Sequence, residues 1–335
     1  MTEKMKRKQL SILSVLKASD KPLTSLRIND ELVSFGHEIS ERTVRLYLQH
    51  MDQANLTQNL GRQGHRITER GLSELDSSKI MERVGFLSAK IDQMTYRMNF
   101  DLHNQSGTVL VNITMAEPKQ VAKNVDMICT VFEKGYAMGH LVSLLEPGER
   151  LGPITVPEGT IGIGTVCSIT LNGVLLKYGI PTNSRFGGLL ELRDRKPAGF
   201  VEIIMYDGTS IDPLEVFIRS GMTNYVGAIE TGNGRIGASF REFPAESRDV
   251  VEELASKLER VGLGGFMSIG QAGQSLLEIP VGEGRVGAIV IGGLNPVAIL
   301  EEVGDRVYSR AMAGLIDFNR LFHYEELESR LRAYL

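Results

Sequence analysis

Arg42, Arg45 and Gln49 stand at i, i+3 and i+7, a spacing that on a helix sets two guanidiniums and an amide along one face. Arginine bonds bidentately to guanine and glutamine to adenine at the base edges of the major groove, so this face suits a DNA-reading helix. Ser40 and Thr43, at the start of the same helix, can bond phosphate oxygens. A merely solvated charged face has the same composition, and the residues that follow decide between the two. Gly61-Arg62-Gln-Gly-His65-Arg66 is a glycine-flexed basic loop, as expected of a wing beside the DNA backbone or minor groove, which adds Arg62, His65 and Arg66 to the candidate contacts. A second region, Gly164-Thr-Val-Cys167-Ser-Ile-Thr-Leu-Asn172-Gly173 continuing through Gly179 to Arg185-Phe-Gly-Gly188, gathers small polar groups, glycines and one arginine at a strand-to-helix junction. Such backbone lets a small ligand approach exposed N–H groups, and Arg185 can hold a carboxylate bidentately. Taken alone, Cys167 reads as a small buried core residue; the stretch as a whole reads as a binding surface.

Positioning those side chains requires a particular order of elements. Residues 4–19 predict a first helix, with Leu10, Leu13 and Ile12 or Leu16 on its apolar face and Asp20-Lys21-Pro22 as its stop. Thr24 to Gly36 predicts a second, with a hydroxyl cap in front and glycine behind. After the turn His37-Glu-Ile, Ser40 caps a third helix to about Ala54, whose stripe Val44, Leu48 and Met51 faces the core. Strand-like pieces Leu56–Leu60 and Arg66–Thr68 flank the basic loop, and a short fourth helix begins at Thr68. This is the order of a winged helix-turn-helix domain over residues 1–80, with 81–104 as a connector of helical pattern (Ile91, Met94, Met98).

From 105 to 335 the pattern becomes α+β, an α/β-sandwich-like regulatory domain. Strands are expected at Thr108–Met115, Thr160–Ile169, Gly188–Leu192, Phe200–Tyr206, Tyr225–Glu230, Arg235–Phe240 and Arg285–Ile291. Helices are expected at Pro118–Lys134, Pro213–Arg219 and Pro244–Val261, each opened by a proline, with a helical tail from Val307 to Leu335. The domain is internally duplicated, in halves of about 105–180 and 232–304. Gly107-Thr-Val and Glu117-Pro118 answer to Gly234-Arg-Ile and Phe243-Pro244; Val156 to Gly162 answers to Val281 to Gly287; Leu171-Asn172 answers to Leu294-Asn295. Two GxGxxG runs, Gly232 to Gly237 and Gly282 to Gly287, lead into strands rather than helices and read as tight turns between strands, not as dinucleotide sites.

Several functions are disfavoured by composition. Two cysteines, Cys129 and Cys167, without CxxC spacing, and six scattered histidines indicate neither a disulfide scaffold nor a metal site. No phosphate loop, nucleophile elbow or kinase set is present, so nothing points to catalytic residues or to an enzyme. The charged start MTEKMKRKQL and the absence of a long apolar run imply a soluble, cytoplasmic protein that does not enter the membrane. Residues 1–80 carry thirteen Lys/Arg against ten Asp/Glu, +3, and the remainder 24 against 31, −7. A basic module on an acidic body is compatible with DNA binding without demonstrating it.

The sequence resembles the NrpR family, archaeal repressors of nitrogen-assimilation genes, along nearly its whole length. Ser40-Glu-Arg-Thr-Val-Arg45, Gly64-His-Arg-Ile-Thr68, Phe100-Asp101, Gly164-Thr-Val-Cys-Ser168 and Gly179-Ile-Pro181 carry the resemblance. Phe186-Gly-Gly188, Ser210-Ile-Asp-Pro-Leu-Glu215, Phe240-Arg-Glu-Phe-Pro244 and Gly292-Gly-Leu-Asn-Pro296 continue it. The resemblance implies a homodimeric repressor on inverted-repeat operator DNA, released by 2-oxoglutarate as effector, with no cofactor. It looks like the family's shorter form, with one regulatory domain and room for a companion NrpR-type regulator. A keto-dicarboxylate needs cations and N–H donors. Arg185 and Arg241 lead as its candidates, with Cys167, Ser168, Thr170 and Asn172 as polar lining and Asn295 beside Gly292-Gly293 in the second half. A winged-helix corepressor that contacts protein, a sensor of a different metabolite and a metabolic enzyme with an accessory winged helix are the competing readings.

Overall fold

In the computed structural model, which describes residues 3–19, 21–34, 39–82 and 86–335, the chain divides into two units, Met1–Val84 and Gly85–Leu335. The first is a winged helix. Helices α1 (Glu3–Lys17), α2 (Ser25–Ser34) and α3 (Glu41–Gln53) bury Ile12, Leu13, Leu16, Ile28, Leu32, Val44, Leu48 and Met51 in one cluster. Ser40 caps α3 by accepting the Thr43 N–H at 3.2 Å. The hairpin β1 (Thr57–Asn59) and β2 (His65–Ile67) follows, then α4 (Glu69–Glu82), longer than expected. Gly64 has φ +100°, and a Cβ there would run into the Leu23 carbonyl. Glycine therefore lets the wing close on Leu23, which exchanges backbone bonds with His65 (3.0 and 2.8 Å). The expected stop at Asp20, the glycine at Gly36 and the turn at His37-Glu38 lie outside the described residues.

The second unit opens with α5 (Phe86–Arg97), β3 (Thr108–Ala116), α6 (Pro118–Lys123), α7 (Val125–Glu133) and β4 (Leu141–Leu145). The short pair β5 (Arg150–Leu151) and β6 (Ile154–Thr155) precedes β7 (Ile161–Val166), α8 (Ile169–Lys177), β8 (Asn183–Arg193) and β9 (Lys196–Met205). Next come α9 (Pro213–Arg219), α10 (Tyr225–Thr231), β10 (Gly234–Pro244), α11 (Arg248–Arg260) and β11 (Phe266–Ile269). The unit closes with β12 (Arg285–Ile291), α12 (Asn295–Glu302), β13 (Tyr308–Asp317), β14 (Phe322–His323) and α13 (Leu327–Leu331).

Two antiparallel five-stranded sheets result, ordered β13-β3-β7-β4-β14 and β11-β12-β10-β8-β9. With α6 and α7 taken as one broken helix and the short pair β5–β6 set aside, the order strand, helix, strand, strand, helix, strand occurs twice, from β3 to β8 and from β10 to β13. The last strand of each half crosses over: β8 pairs with β10, and β13 pairs with β3. Each sheet therefore contains chain from both halves. Alternate positions on β3 and β12, Val109, Val111, Ile113 and Val286, Ala288, Val290, share one core cluster with α8 and α11. Ile236, Ala238 and Phe240 of β10 join the other cluster with α7 and α12. Because helices cover these strands, β7 is buried at all six residues and shows no period-two pattern.

Five expectations need correction. The helix expected over Pro118–Lys134 is two, α6 and α7, broken at Asn124, whose side chain donates to the Gln120 carbonyl at 2.9 Å and to Asp305 at 2.7 Å. Pro244 does not open a helix but ends β10, paired with Arg285, and α11 starts at Arg248. Tyr225–Glu230 forms the helix α10, not a strand: Asn224 caps it through the Gly227 N–H at 2.9 Å, and Glu302, from α12, accepts the Tyr225 and Val226 N–H groups. That tertiary cap outweighs the β-branched and aromatic composition. The tail is not helical from Val307, because Tyr308–Asp317 completes the first sheet as β13; a bulge between Arg310 and Gly314 hides its alternation. Finally, Gly232 joins helix α10 to β10, so the first GxGxxG run is a helix-to-strand turn.

Candidate functional site

On the winged-helix unit, Arg42, Arg45 and Gln49 are all exposed on α3. They are not equivalent. Arg45 donates to Glu41 at 2.6 and 3.1 Å and to Ser25 at 3.2 Å, and the Arg45 and Ser25 bonds hold the Glu41 carboxyl below its ordinary range. Among the described residues, Arg42 and Gln49 have no side-chain partner. Ser40 and Thr43 bond each other at 2.8 Å while Ser40 caps the helix. Arg62 and Arg66 project from the wing, Arg66 with only a 3.5 Å bond to Gln58. His65 turns the other way: its Nε2 lies 3.1 Å from Asp52, whose second oxygen accepts from Thr57 at 2.6 Å. With 14% of its side chain exposed, His65 braces the wing against the end of α3. Leu46 is 54% exposed on α3, four residues after Arg42 and three before Gln49. A search for polar residues passes over it, yet an apolar tip is what a thymine methyl group accepts.

In the second unit, the β7–α8 and β12–α12 loops meet around a cavity of about 20 Å³, room for roughly one water. Cys167 and Ser168 line it from the first half, Ser239, Gly292 and Gly293 from the second, and Asp212 from the segment between them. At Gly293 a Cβ would strike the Val166 carbonyl and the Asn112 amide, so the two loops touch only because the residue is glycine. Asp212 caps α9 through the Leu214 and Glu215 N–H groups at 2.9 and 3.4 Å. Burial, followed by the neighbouring Glu215, pushes its carboxyl up to about 7. Burial also raises the Cys167 thiol to about 11, so it stays protonated and is no nucleophile.

Behind Ser168 stands Arg241, 1% exposed on β10. Its Nη1 donates to the Ser168 carbonyl at 2.7 Å and to the Asn172 amide oxygen, and its Nη2 to Ser168 Oγ at 2.8 Å. Nε has no partner, and among the described residues no carboxylate lies within ion-pair distance. Burial lowers its pKa, but a guanidinium keeps its proton in a protein. A desolvated cation without a counter-charge is costly, and such groups ordinarily pair.

The structure thus brings together Cys167, Ser168, Asn172 and Arg241. Thr170, Arg185 and Asn295 are engaged elsewhere. Thr170 Oγ1 both accepts from and donates to the Leu110 backbone (3.2 and 3.0 Å). Arg185 binds Glu242 at 2.7 Å and the Pro280 carbonyl at 2.6 Å, over the Phe240 ring. Asn295 accepts from Tyr225 Oη at 2.6 Å and donates to the Tyr136 and Gly237 carbonyls, each at 2.9 Å. Asn295→Ala should therefore act on stability alone: stranding three buried groups is expected to cost about 3 kcal/mol in urea unfolding. Asp212 and Ser239 were missed as lining residues, although Asp212 lies inside a stretch that carried the family resemblance. Among the described residues no group of side chains forms a metal site, and no helix is long and apolar enough to cross a membrane.

Comparison with known proteins gives a consistent picture. The family model described as NrpR regulatory domains NRD1 and 2 matches residues 84–323, and that of the Ribonuclease R winged-helix domain matches residues 10–75. The chain is 34% identical to the global nitrogen regulator NrpRI of Methanosarcina mazei over 321 residues, 96% of this chain and 99% of the relative. It is 31% and 35% identical to global nitrogen regulators NrpR of Methanococcus maripaludis and Methanocaldococcus jannaschii, covering 51% and 50% of their lengths. The chain thus spans about half of those two longer relatives. The crystal structure of a nitrogen repressor-like protein from Methanococcus jannaschii aligns with a TM-score of 0.60 at 28% identity, over 70% of this chain and 97% of that one.

Proposed function

The chain belongs to the NrpR family of nitrogen regulators, not of enzymes, and from that premise we propose that it is a homodimeric repressor of nitrogen-assimilation genes, released from inverted-repeat operator DNA by 2-oxoglutarate. In this reading α3 enters the major groove, with Arg42 and Gln49 free to read bases and Arg45 swinging from Glu41 to join them, while Arg62 and Arg66 follow the backbone. The observation that carries the effector reading is Arg241, a buried guanidinium held by neutral acceptors only.

A carboxylate is a stronger acceptor for a guanidinium than a hydroxyl or an amide. An acid the size of 2-oxoglutarate exceeds a cavity of about 20 Å³, so its entry has to part the β7–α8 and β12–α12 loops. Its carboxylate then takes the place of Ser168 and Asn172 at Arg241. Binding selects the opened arrangement by no more than the ligand's differential affinity for the two states. Operator release follows if that arrangement holds the paired α3 helices off the half-site spacing.

A panel of central metabolites tests the reading by thermal shift, since a ligand of the native state raises Tm by mass action. A rise with 2-oxoglutarate supports it; a rise with another metabolite alone reassigns the effector; no rise with any carboxylate removes the site.

The pH dependence has a definite sign. An anion bound beside Asp212 raises a carboxyl already near 7, so binding takes up a proton. Affinity should be greatest below about pH 7 and fall as the pH rises through that value. Calorimetry in buffers of different ionisation enthalpy reads the uptake, and Asp212→Asn, which keeps a capping side chain, should abolish it.

A further inference from the structure

We infer that the regulatory unit takes one carboxylate effector per chain, at Arg241, and that the pseudo-symmetric position, at Thr114, is closed to it. This rests on the effector reading above and concerns how many such sites the duplicated fold retains.

The two halves can be aligned residue by residue from their backbone bonds. Cys167 N–H meets the Leu110 carbonyl at 2.9 Å, and Gly292 N–H meets the Gly237 carbonyl at 2.9 Å. Within the loops, Thr170 N–H bonds Cys167 O and Asn295 N–H bonds Gly292 O, so Asn295 answers to Thr170. Asn172 therefore answers to Val297, two residues away from the pairing that the sequence pattern indicates. Strand register gives the other wall: Val111 pairs with Val166 and Ala238 with Ile291. Three steps along, Arg241 answers to Thr114, and their cross-strand partners Ser184 and Ser309 answer to one another.

On this alignment the pseudo-symmetric position, formed by Thr114 of the first half with Gly293 and Val297 of the second, lacks each group that makes the Arg241 position a site. Thr114 stands where Arg241 would be, fully buried, with its hydroxyl bonded to Ser309 at 2.8 Å. Gly293 stands in place of Ser168, and Val297, 1% exposed, in place of Asn172. The cation nearest to it, Arg219, donates to the Ser309 carbonyl at 3.2 Å and is paired with Glu215, and a valine side chain stands where the amide would be. A carboxylate entering it would lose its hydration and gain no charged partner.

Calorimetric titration of the full chain with 2-oxoglutarate decides the matter. One ligand per chain is expected, and Thr114→Val should alter neither stoichiometry nor affinity. Ser168→Ala, which removes one of the acceptors that the carboxylate displaces from Arg241, should bind at least as tightly as the parent with the stoichiometry still one. Two ligands per chain, or a changed stoichiometry in Thr114→Val, would overturn the single-site inference and leave the effector reading standing. Absence of heat and of any thermal shift would overturn both.

Discussion

Arg241→Met is expected to fold, to bind operator as the parent does, and to ignore 2-oxoglutarate. The stability side is a near balance. Methionine fills much of the arginine's volume but leaves the Ser168 and Asn172 acceptors unpaired, at about 1–3 kcal/mol each. Against that, removing a buried cation that lacks a counter-charge recovers a desolvation cost of several kcal/mol, by the general behaviour of buried charges. The binding side is not balanced. Two charge-assisted bonds to a carboxylate are worth about 3 kcal/mol or more, so effector affinity should fall at least about a hundredfold. Urea unfolding and an effector dose curve on operator-bound protein check the two halves of this statement. A variant that is stable and released at parental effector concentrations would remove Arg241 from the site.

The other large effect lies on α3. Arg42→Ala with Arg45→Ala should weaken operator binding by roughly 30-fold to 25,000-fold, taking about 1–3 kcal/mol for each bidentate base contact. Both side chains are exposed, so the fold should be unaffected. The singles should differ: Arg42 is free, whereas Arg45 has to leave Glu41 and Ser25 to reach a base, and its net contribution is smaller. Affinity measured at one stated salt concentration for operator and for scrambled DNA separates base reading from general attraction. Equal losses on both sequences would make these arginines phosphate contacts only.

How far the sequence revealed all this depended on whether the determining interactions were local. The stripe Val44, Leu48 and Met51 and the cap at Ser40 are local, and α3 lies where they place it. Pro213–Arg219 was legible for the same reason: an aspartate cap and a proline in the first turn. The segment at Tyr225 was illegible because its helix is capped by Glu302, supplied by the fold. Strand β13 was missed because its partner β3 is some two hundred residues earlier and its alternation is broken by a bulge. At the site, side-chain chemistry singled out Arg241 but could not rank it above Arg185. What separates them is that Glu242 neutralises Arg185, whereas Arg241 has no carboxylate neighbour among the described residues. His65 shows the opposite limit: its place in a basic loop suggested DNA, while Asp52 and Thr57 hold it inward.

The central claim, that one chain couples operator binding to a carboxylate signal, is tested most directly by fluorescence anisotropy. The full chain would be titrated onto a labelled inverted-repeat operator selected from random DNA, at fixed salt, with and without 2-oxoglutarate. Tight, sequence-selective binding that 2-oxoglutarate weakens is the predicted result. Selective binding that neither 2-oxoglutarate nor any other carboxylate alters, or no selective binding at all, would contradict it.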